Sequence, residues 1–272
     1  MVNCPVIIIG TPNSQRLEYF KSNNEIMEAL NPTFLNATIL DSNAADNLVS
    51  PDSIEYQKVM YGRKLLNPEM GCAMSHRRAQ EIIAETSTGG LILEDDARIN
   101  DLSSFITLTE KFLLDHREES AILTFFDGRP WSTISSSFRN AHPYVRILGS
   151  TAYAVSYALT PKAAKELVAA NHDFRYGPDW PITKCKYFSS TLNLVSHGDS
   201  STVSTIDPDG SQRPTGYGLK RRIHVLTGIL FLNNRRKFQK LRKFLDDLWF
   251  PRANFHLSNL IFRLLVLRHP GR

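Results

Sequence analysis

The run Gly90-Leu91-Ile92-Leu93-Glu94-Asp95-Asp96 constrains the fold of this chain more than any other stretch. A short apolar segment introduced by a Gly-Gly pair reads as a buried strand of a parallel sheet. Three consecutive carboxylates close it. Side chains alternate faces along a strand, so Glu94 and Asp96 are expected on one side and Asp95 on the other. Ligands of open α/β sheets bind just beyond the carboxyl ends of strands. Mg2+ or Mn2+ typically takes one or two carboxylates together with the phosphates of a substrate. The stretch therefore reads as a site for a divalent metal that carries a diphosphate. The alternative is a strand running into an acidic turn that caps the next helix.

The rest of the chain supplies a context for that strand. Val6-Ile7-Ile8-Ile9-Gly10 reads as a second buried strand. Leu17, Phe20, Ile26 and Leu30 then fall at helical spacing from about residue 14, and Phe34 to Leu40 reads as a further strand. This is a βαβ opening, which predicts a parallel sheet with a right-handed crossover. No GxGxxG follows the first strand, so a dinucleotide site is not expected. Arg16 could reach a diphosphate or a base, or else lie on the surface of the first helical turn.

Asn67-Pro68-Glu69 predicts a helix start, with Asn67 as N-cap and Pro68 at the first helical position. That helix carries Met70-Gly71-Cys72-Ala73-Met74-Ser75-His76 and runs to about Glu85. Its small residues suggest close packing against the sheet or a ligand. His76 follows Cys72 by four residues and shares its face; it is either a hydrogen-bonded core residue or part of the site. Further expectations are a helix over 103–116, strands over 121–127, 144–148, 152–156 and 191–196, a loop over 131–143, and a helix over 161–171.

Charge is distributed unevenly. The chain carries a formal net charge of +5 over 272 residues, yet residues 219–272 hold 13 Lys/Arg against two acids, Asp246 and Asp247. In this segment Phe238, Leu241, Phe244, Leu245 and Leu248 follow helical spacing with basic residues interleaved. The division expected is residues 1–215 as one domain and 216–272 as a basic amphipathic helical tail. Such helices suit an anionic membrane surface; the alternative is helices that complete the domain core. No apolar run approaches the roughly 18 residues that would span a bilayer. The N-terminus lacks the pattern of a signal peptide, and Cys4, Cys72 and Cys185 show no metal or disulfide spacing, so a reducing compartment is expected.

Two segments fourteen residues apart, Glu69-Met70-Gly71-Cys72-Ala73-Met74-Ser75-His76 and Leu91-Ile92-Leu93-Glu94-Asp95-Asp96, resemble glycosyltransferase family 25, the lipopolysaccharide and lipooligosaccharide galactosyltransferase family. The similarity continues at Ile8-Ile9 with Arg16, at Gly149 to Tyr153, and at Asp179-Trp180-Pro181, and covers about residues 1–200. One departure is the single Asp179 preceded by Pro178, where two acids are expected before Trp-Pro. The resemblance does not extend to the basic tail.

The resemblance implies a GT-A-like, Rossmann-type α/β domain with a mostly parallel central sheet. It also implies a UDP-sugar donor, usually UDP-galactose, and Mn2+ or Mg2+ at the Glu-Asp-Asp motif. Glu94 and Asp96 are then the candidates for metal and ribose contacts. Ile9, Arg16, His76, Glu94 and Asp95 become candidates for donor binding. His197 follows a strand and could complete the metal shell, since imidazole is an acceptable Mn2+ ligand; otherwise it is a loop histidine. An inverting transferase needs a carboxylate to take the acceptor proton. Asp179 is the candidate base, with Asp95 beside it among the catalytic candidates; a helix N-cap is the other reading of Asp179. The acceptor implied is a lipid-linked oligosaccharide at the cytoplasmic face of a bacterial inner membrane, with no nucleic acid expected. The rival from another class is a nucleic-acid-binding or scaffolding protein acting through its tail, although a reader motif is missing.

Overall fold

The computed structural model describes residues 2–41, 48–54, 57, 63–126, 136–147, 154–174, 176–177 and 183–198. Asp179-Trp180-Pro181 and the basic segment 216–272 lie outside these residues. The described part is a mixed α/β fold around a seven-stranded sheet.

In chain order the strands are β1 (Val6–Gly10), β2 (Thr33–Asn36), β3 (Gly90–Glu94), β4 (Ala97–Ile99), β5 (Ala121–Thr124), β6 (Tyr144–Ile147), β7 (Ser156–Leu159), β8 (Lys186–Ser190) and β9 (Val195–His197). The helices are α1 (Glu18–Lys21), α2 (Asn24–Leu30), α3 (Asn67–Ala84), α4 (Leu102–Asp115), α5 (Ser136–Ala141) and α6 (Pro161–Ala170). The large sheet has the order β2-β1-β3-β7-β5-β8-β6, and β4 pairs with β9 in a separate two-stranded ribbon. Strands β1, β2, β3, β5 and β8 run one way, with β6 and β7 opposed to them. The parallel sheet expected from the βαβ opening is thus met in five strands. The central β7 interrupts it with antiparallel pairings on both sides.

Strand alternation sorts the core into two layers. Val6, Ile8, Leu91 and Leu93 face the layer of α1, α2 and α4, where Phe20, Ile26, Leu30, Phe105 and Phe112 are buried. Ile7, Ile9 and Ile92 face the opposite layer, with Ala79 and Ile83 of α3 and Ala163, Ala164 and Leu167 of α6. Burying each of the Val, Leu, Ile and Phe side chains among these contributes roughly 1.5–3 kcal/mol. A sheet covered on both faces explains why β1 and β3 read as continuous apolar runs rather than alternating ones.

Several element boundaries differ from expectation for local reasons. The helix expected from residue 14 to Leu30 is a 3-10 turn followed by two short helices. Asn23 breaks it, its side chain accepting from Ile26 N as an N-cap. At α3 the N-cap is Leu66 rather than Asn67. Glu69 reaches back to accept from Leu66 N at 2.9 Å, and its carboxylate also pairs with Arg63 at 2.7 and 2.8 Å. Ser136–Ala141 is helical within the expected loop. The strand expected over 152–156 lies later, at Ser156–Leu159. The strand at Lys186–Ser190 has no counterpart in the sequence reading.

Candidate active site

Strand β1 continues to β2 on one side, and the chain then returns to β3 on the other side of β1. That change of direction opens a crevice at the carboxyl ends of β1 and β3, the usual ligand position in open α/β sheets. Ile9 and Glu94 are register partners at this edge. Ile9 itself is buried in the core, so its side chain does not face the crevice. The 3-10 turn after β1 brings in Arg16, whose amide is capped by Ser14 Oγ at 3.2 Å.

Strand β3 ends at Glu94, and Asp95 and Asp96 form a turn into β4. Alternation therefore stops at Glu94, and the expected pairing of Glu94 with Asp96 on one side is not what forms. Glu94 falls on the α3 layer with Ile92. Its Oε1 lies 2.8 Å from His76 Nε2 and accepts from Cys72 Sγ at 3.8 Å. Asp95 and Asp96 instead share Arg16, whose Nη1 stands 3.8 Å from Asp95 Oδ1 and 3.4 Å from Asp96 Oδ2. Arg98 holds the turn by donating to the Asp95 and Ala97 carbonyls at 3.1 and 2.9 Å, its guanidinium stacked over Tyr19.

The β4–β9 ribbon brings in the most distant residue. Ala97 and His197 are register partners, and His197 Nε2 lies 3.2 Å from Asp96 Oδ2. Asp96 is only 8% exposed, and its other oxygen, Oδ1, is buried with no hydrogen-bond partner. Burial pushes the Asp96 carboxyl up, but the bond and charge of His197 and the charge of Arg16 outweigh it and hold the group below its ordinary value. His197 is raised in turn, chiefly by its bond to Asp96. Burial raises Asp95, against the Ser14 hydrogen bond and Arg16.

Helix α3 explains the pattern Glu69-x-Gly71-Cys72-x-x-Ser75-His76 residue by residue. Glu69 caps the helix and pairs with Arg63. Gly71 and Ser75 dock it on the segment after β2. A Cβ at Gly71 would run into the Thr38 carbonyl oxygen, while Ser75 Oγ accepts from Thr38 N at 2.8 Å and donates to Gly71 O at 2.7 Å. Cys72 and His76, one turn apart, face Glu94 as their spacing predicts.

Two residues absent from the sequence reading complete this side. Tyr157 of β7, fully buried, lies with its hydroxyl 3.0 Å from His76 Nδ1 and accepts from Gln80 Nε2 at 3.1 Å. The network orients the imidazole with Nε2 toward Glu94. Nothing in the apolar run around Tyr157 signals this role; Gln80 was findable, since it follows His76 by four residues on the same face.

Among the described residues two sets of side chains could hold a metal. Asp96 and His197 offer a carboxylate with an orphaned oxygen and an imidazole, donors that Mn2+ accepts. Cys72, His76 and Glu94 offer three ligand atoms within 4.8 Å of one another. Burial and the neighbouring Glu94 raise the Cys72 thiol well above its ordinary value. The candidate base Asp179 lies outside the described residues.

The family model for glycosyltransferase family 25, described as a lipopolysaccharide biosynthesis protein, matches residues 5–182. The chain belongs to this family. A search of curated proteins finds no match. Membership of glycosyltransferase family 25 makes the chain a glycosyltransferase of lipopolysaccharide biosynthesis, a class that takes a sugar-nucleotide donor and an oligosaccharide acceptor. The mixed α/β sheet, with helices on both faces and a crevice at its carboxyl edge, is consistent with a Rossmann-like glycosyltransferase fold. Among the described residues no helix is long and apolar enough to cross a membrane.

Proposed function

We propose that the chain is a metal-dependent hexosyltransferase of GT-A type, moving galactose from UDP-galactose to a lipid-linked oligosaccharide with inversion. The observation that carries this reading is the buried, unpartnered Asp96 Oδ1 beside His197 and Arg16 at the carboxyl edge of β1 and β3. A carboxylate oxygen buried without a donor is costly unless a cation meets it. Asp96 and His197 would hold Mn2+, or Mg2+, which when bound offsets charge on the departing diphosphate.

The chain's own residues supply the rest. Arg16, paired with Asp95 and Asp96 near the carboxyl ends of β1 and β3, would meet the diphosphate of a donor bound there. Glu94, oriented by His76, would accept hydrogen bonds from donor hydroxyls. Asp179 takes the proton of the acceptor hydroxyl, and Asp95 stands as the second candidate for that step. The 13 Lys/Arg of residues 219–272 would draw the enzyme to the anionic inner face of the bacterial inner membrane, where its acceptor is anchored.

The test is UDP release from a panel of UDP-sugars, with and without Mn2+, for the wild type and Asp96→Asn. One donor turned over in a metal-dependent way is expected, with kcat lowered about 10²–10³-fold by the substitution, the scale of losing one electrostatic contact to a transition state. Turnover that ignores both Mn2+ and Asp96→Asn would overturn the metal assignment. Preference for another sugar would replace galactose while keeping the chemistry.

A further inference from the structure

The sulfur ligand beside the crevice separates two kinds of metal chemistry. Hard cations such as Mn2+ and Mg2+ favour carboxylate, carbonyl and water oxygens, whereas cysteine sulfur selects Zn2+ and its relatives. We propose that Cys72, His76 and Glu94 form a three-ligand site for a thiophilic divalent cation, zinc by chemical class, separate from the Asp96–His197 pair.

The spacing fits that cation. Bond lengths of about 2.3 Å to sulfur and about 2.0 Å to nitrogen and oxygen place tetrahedral ligands roughly 3.3–3.5 Å apart. Glu94 Oε1 lies 3.8 Å from Cys72 Sγ and 2.8 Å from His76 Nε2, so these two pairs reach the required separation by shifts of about half an ångström, and all three ligand atoms already lie within 4.8 Å of one another. Three protein ligands with a fourth position left open is the arrangement of zinc sites that bind water or a ligand.

The support behind the ligands is already built. Metal-bound histidines are held by a partner on the other ring nitrogen, which fixes the ring's orientation. His76 Nδ1 has that partner in the buried Tyr157 hydroxyl, itself held by Gln80. Ring stacking between His76 and Tyr157, with centroids 5.8 Å apart, limits the imidazole further. Cys72 and His76 are locked one turn apart on α3, whose position is fixed by Gly71 and Ser75. On binding, the Cys72 thiol gives its proton to solvent, the His76 ring proton passes from Nε2 to Nδ1, where it is donated to Tyr157 Oη, and Glu94 exchanges its bond to His76 for the cation.

Cobalt(II) replaces zinc with a visible spectrum and serves as the probe on the full-length chain. Adding Co2+ should produce a thiolate-to-cobalt charge-transfer band, which Zn2+ abolishes and a large excess of Mg2+ leaves in place. Cys72→Ser, checked for folding by circular dichroism, should lose the band; Cys4→Ser and Cys185→Ser should retain it. Tyr157→Phe keeps the ring and removes the hydroxyl, and should weaken Zn2+ about 10–100-fold in competition with a chromophoric chelator. A wild-type chain without the band, or a band that survives Cys72→Ser, overturns the site. Equal zinc affinity in Tyr157→Phe overturns His76 as a ligand. None of these readings depends on a sugar donor, so they stand or fall apart from the transferase reaction.

Discussion

Gly71 and Ser75 share one docking contact, and each does what its size permits. Gly71 leaves room for the Thr38 carbonyl, and Ser75 satisfies the Thr38 amide one helical turn later. Gly71→Ala should therefore destabilise the protein by about 1–3 kcal/mol through overpacking, against the usual helical gain of alanine over glycine. A urea titration checks this; a midpoint equal to or above the wild type would show that the 37–40 segment moves aside freely. At this scale much of the site was readable. Helical spacing put Cys72 and His76 on one face, and strand alternation correctly sent Glu94 to a definite side. It misplaced Asp96 because the strand ends at Glu94, two residues before the acidic run does. Tyr157 was hidden for a different reason: a buried tyrosine in an apolar strand looks like core, and its hydroxyl's partner is 81 residues away in the chain.

Elements with strong periodicity were legible, and those set by distant partners were not. The buried runs of β1 and β3 and the amphipathic α4 and α6 declare themselves, whereas β8 contains Lys186, Ser189 and Ser190 and is a strand only because β5 and β6 flank it. That corner also titrates. Asp115 at the end of α4 accepts from Lys111 Nζ and Tyr144 Oη, and Glu119 accepts from Lys186 Nζ at 2.6 Å. These bonds, that of Lys111 foremost for Asp115 and that of Lys186 for Glu119, hold both carboxyls below their ordinary values of 3.8 and 4.5. A depressed folded value contributes stability that is present above the ordinary value and lost as pH falls through the folded one. The acid limb of the Tm profile, below about pH 4.5, should flatten in Asp115→Asn/Glu119→Gln, the variant falling short of the wild type at pH 7 and the gap closing as pH drops through that limb. An acid limb as steep as the wild type's would remove these pairs from the explanation.

Across the whole chain, the basic segment makes its own demand. If it brings the enzyme to its acceptor, full-length protein should float with anionic vesicles and remain behind with neutral ones. Replacing Arg235, Arg236, Lys237 and Lys240 by glutamine should cost roughly 4 kcal/mol of binding, at about 1 kcal/mol per basic residue near the surface. Flotation unchanged by the replacement, or equal on neutral vesicles, would remove the electrostatic tether. The sheet order carries a consequence of another kind. Strand β7 sits between β3 and β5, yet residues 156–159 come after both in the chain. On a ribosome, β1, β2 and β3 can assemble early, but β5 has no place to join them until β7 has been made, and β6 waits longer still for β8. For that interval the nascent chain exposes an open edge on β3, apolar and unpaired, the kind of surface that other chains can adopt. Translation speed through residues 125–160, and the chaperones that meet the chain there, would then govern how much enzyme a cell obtains.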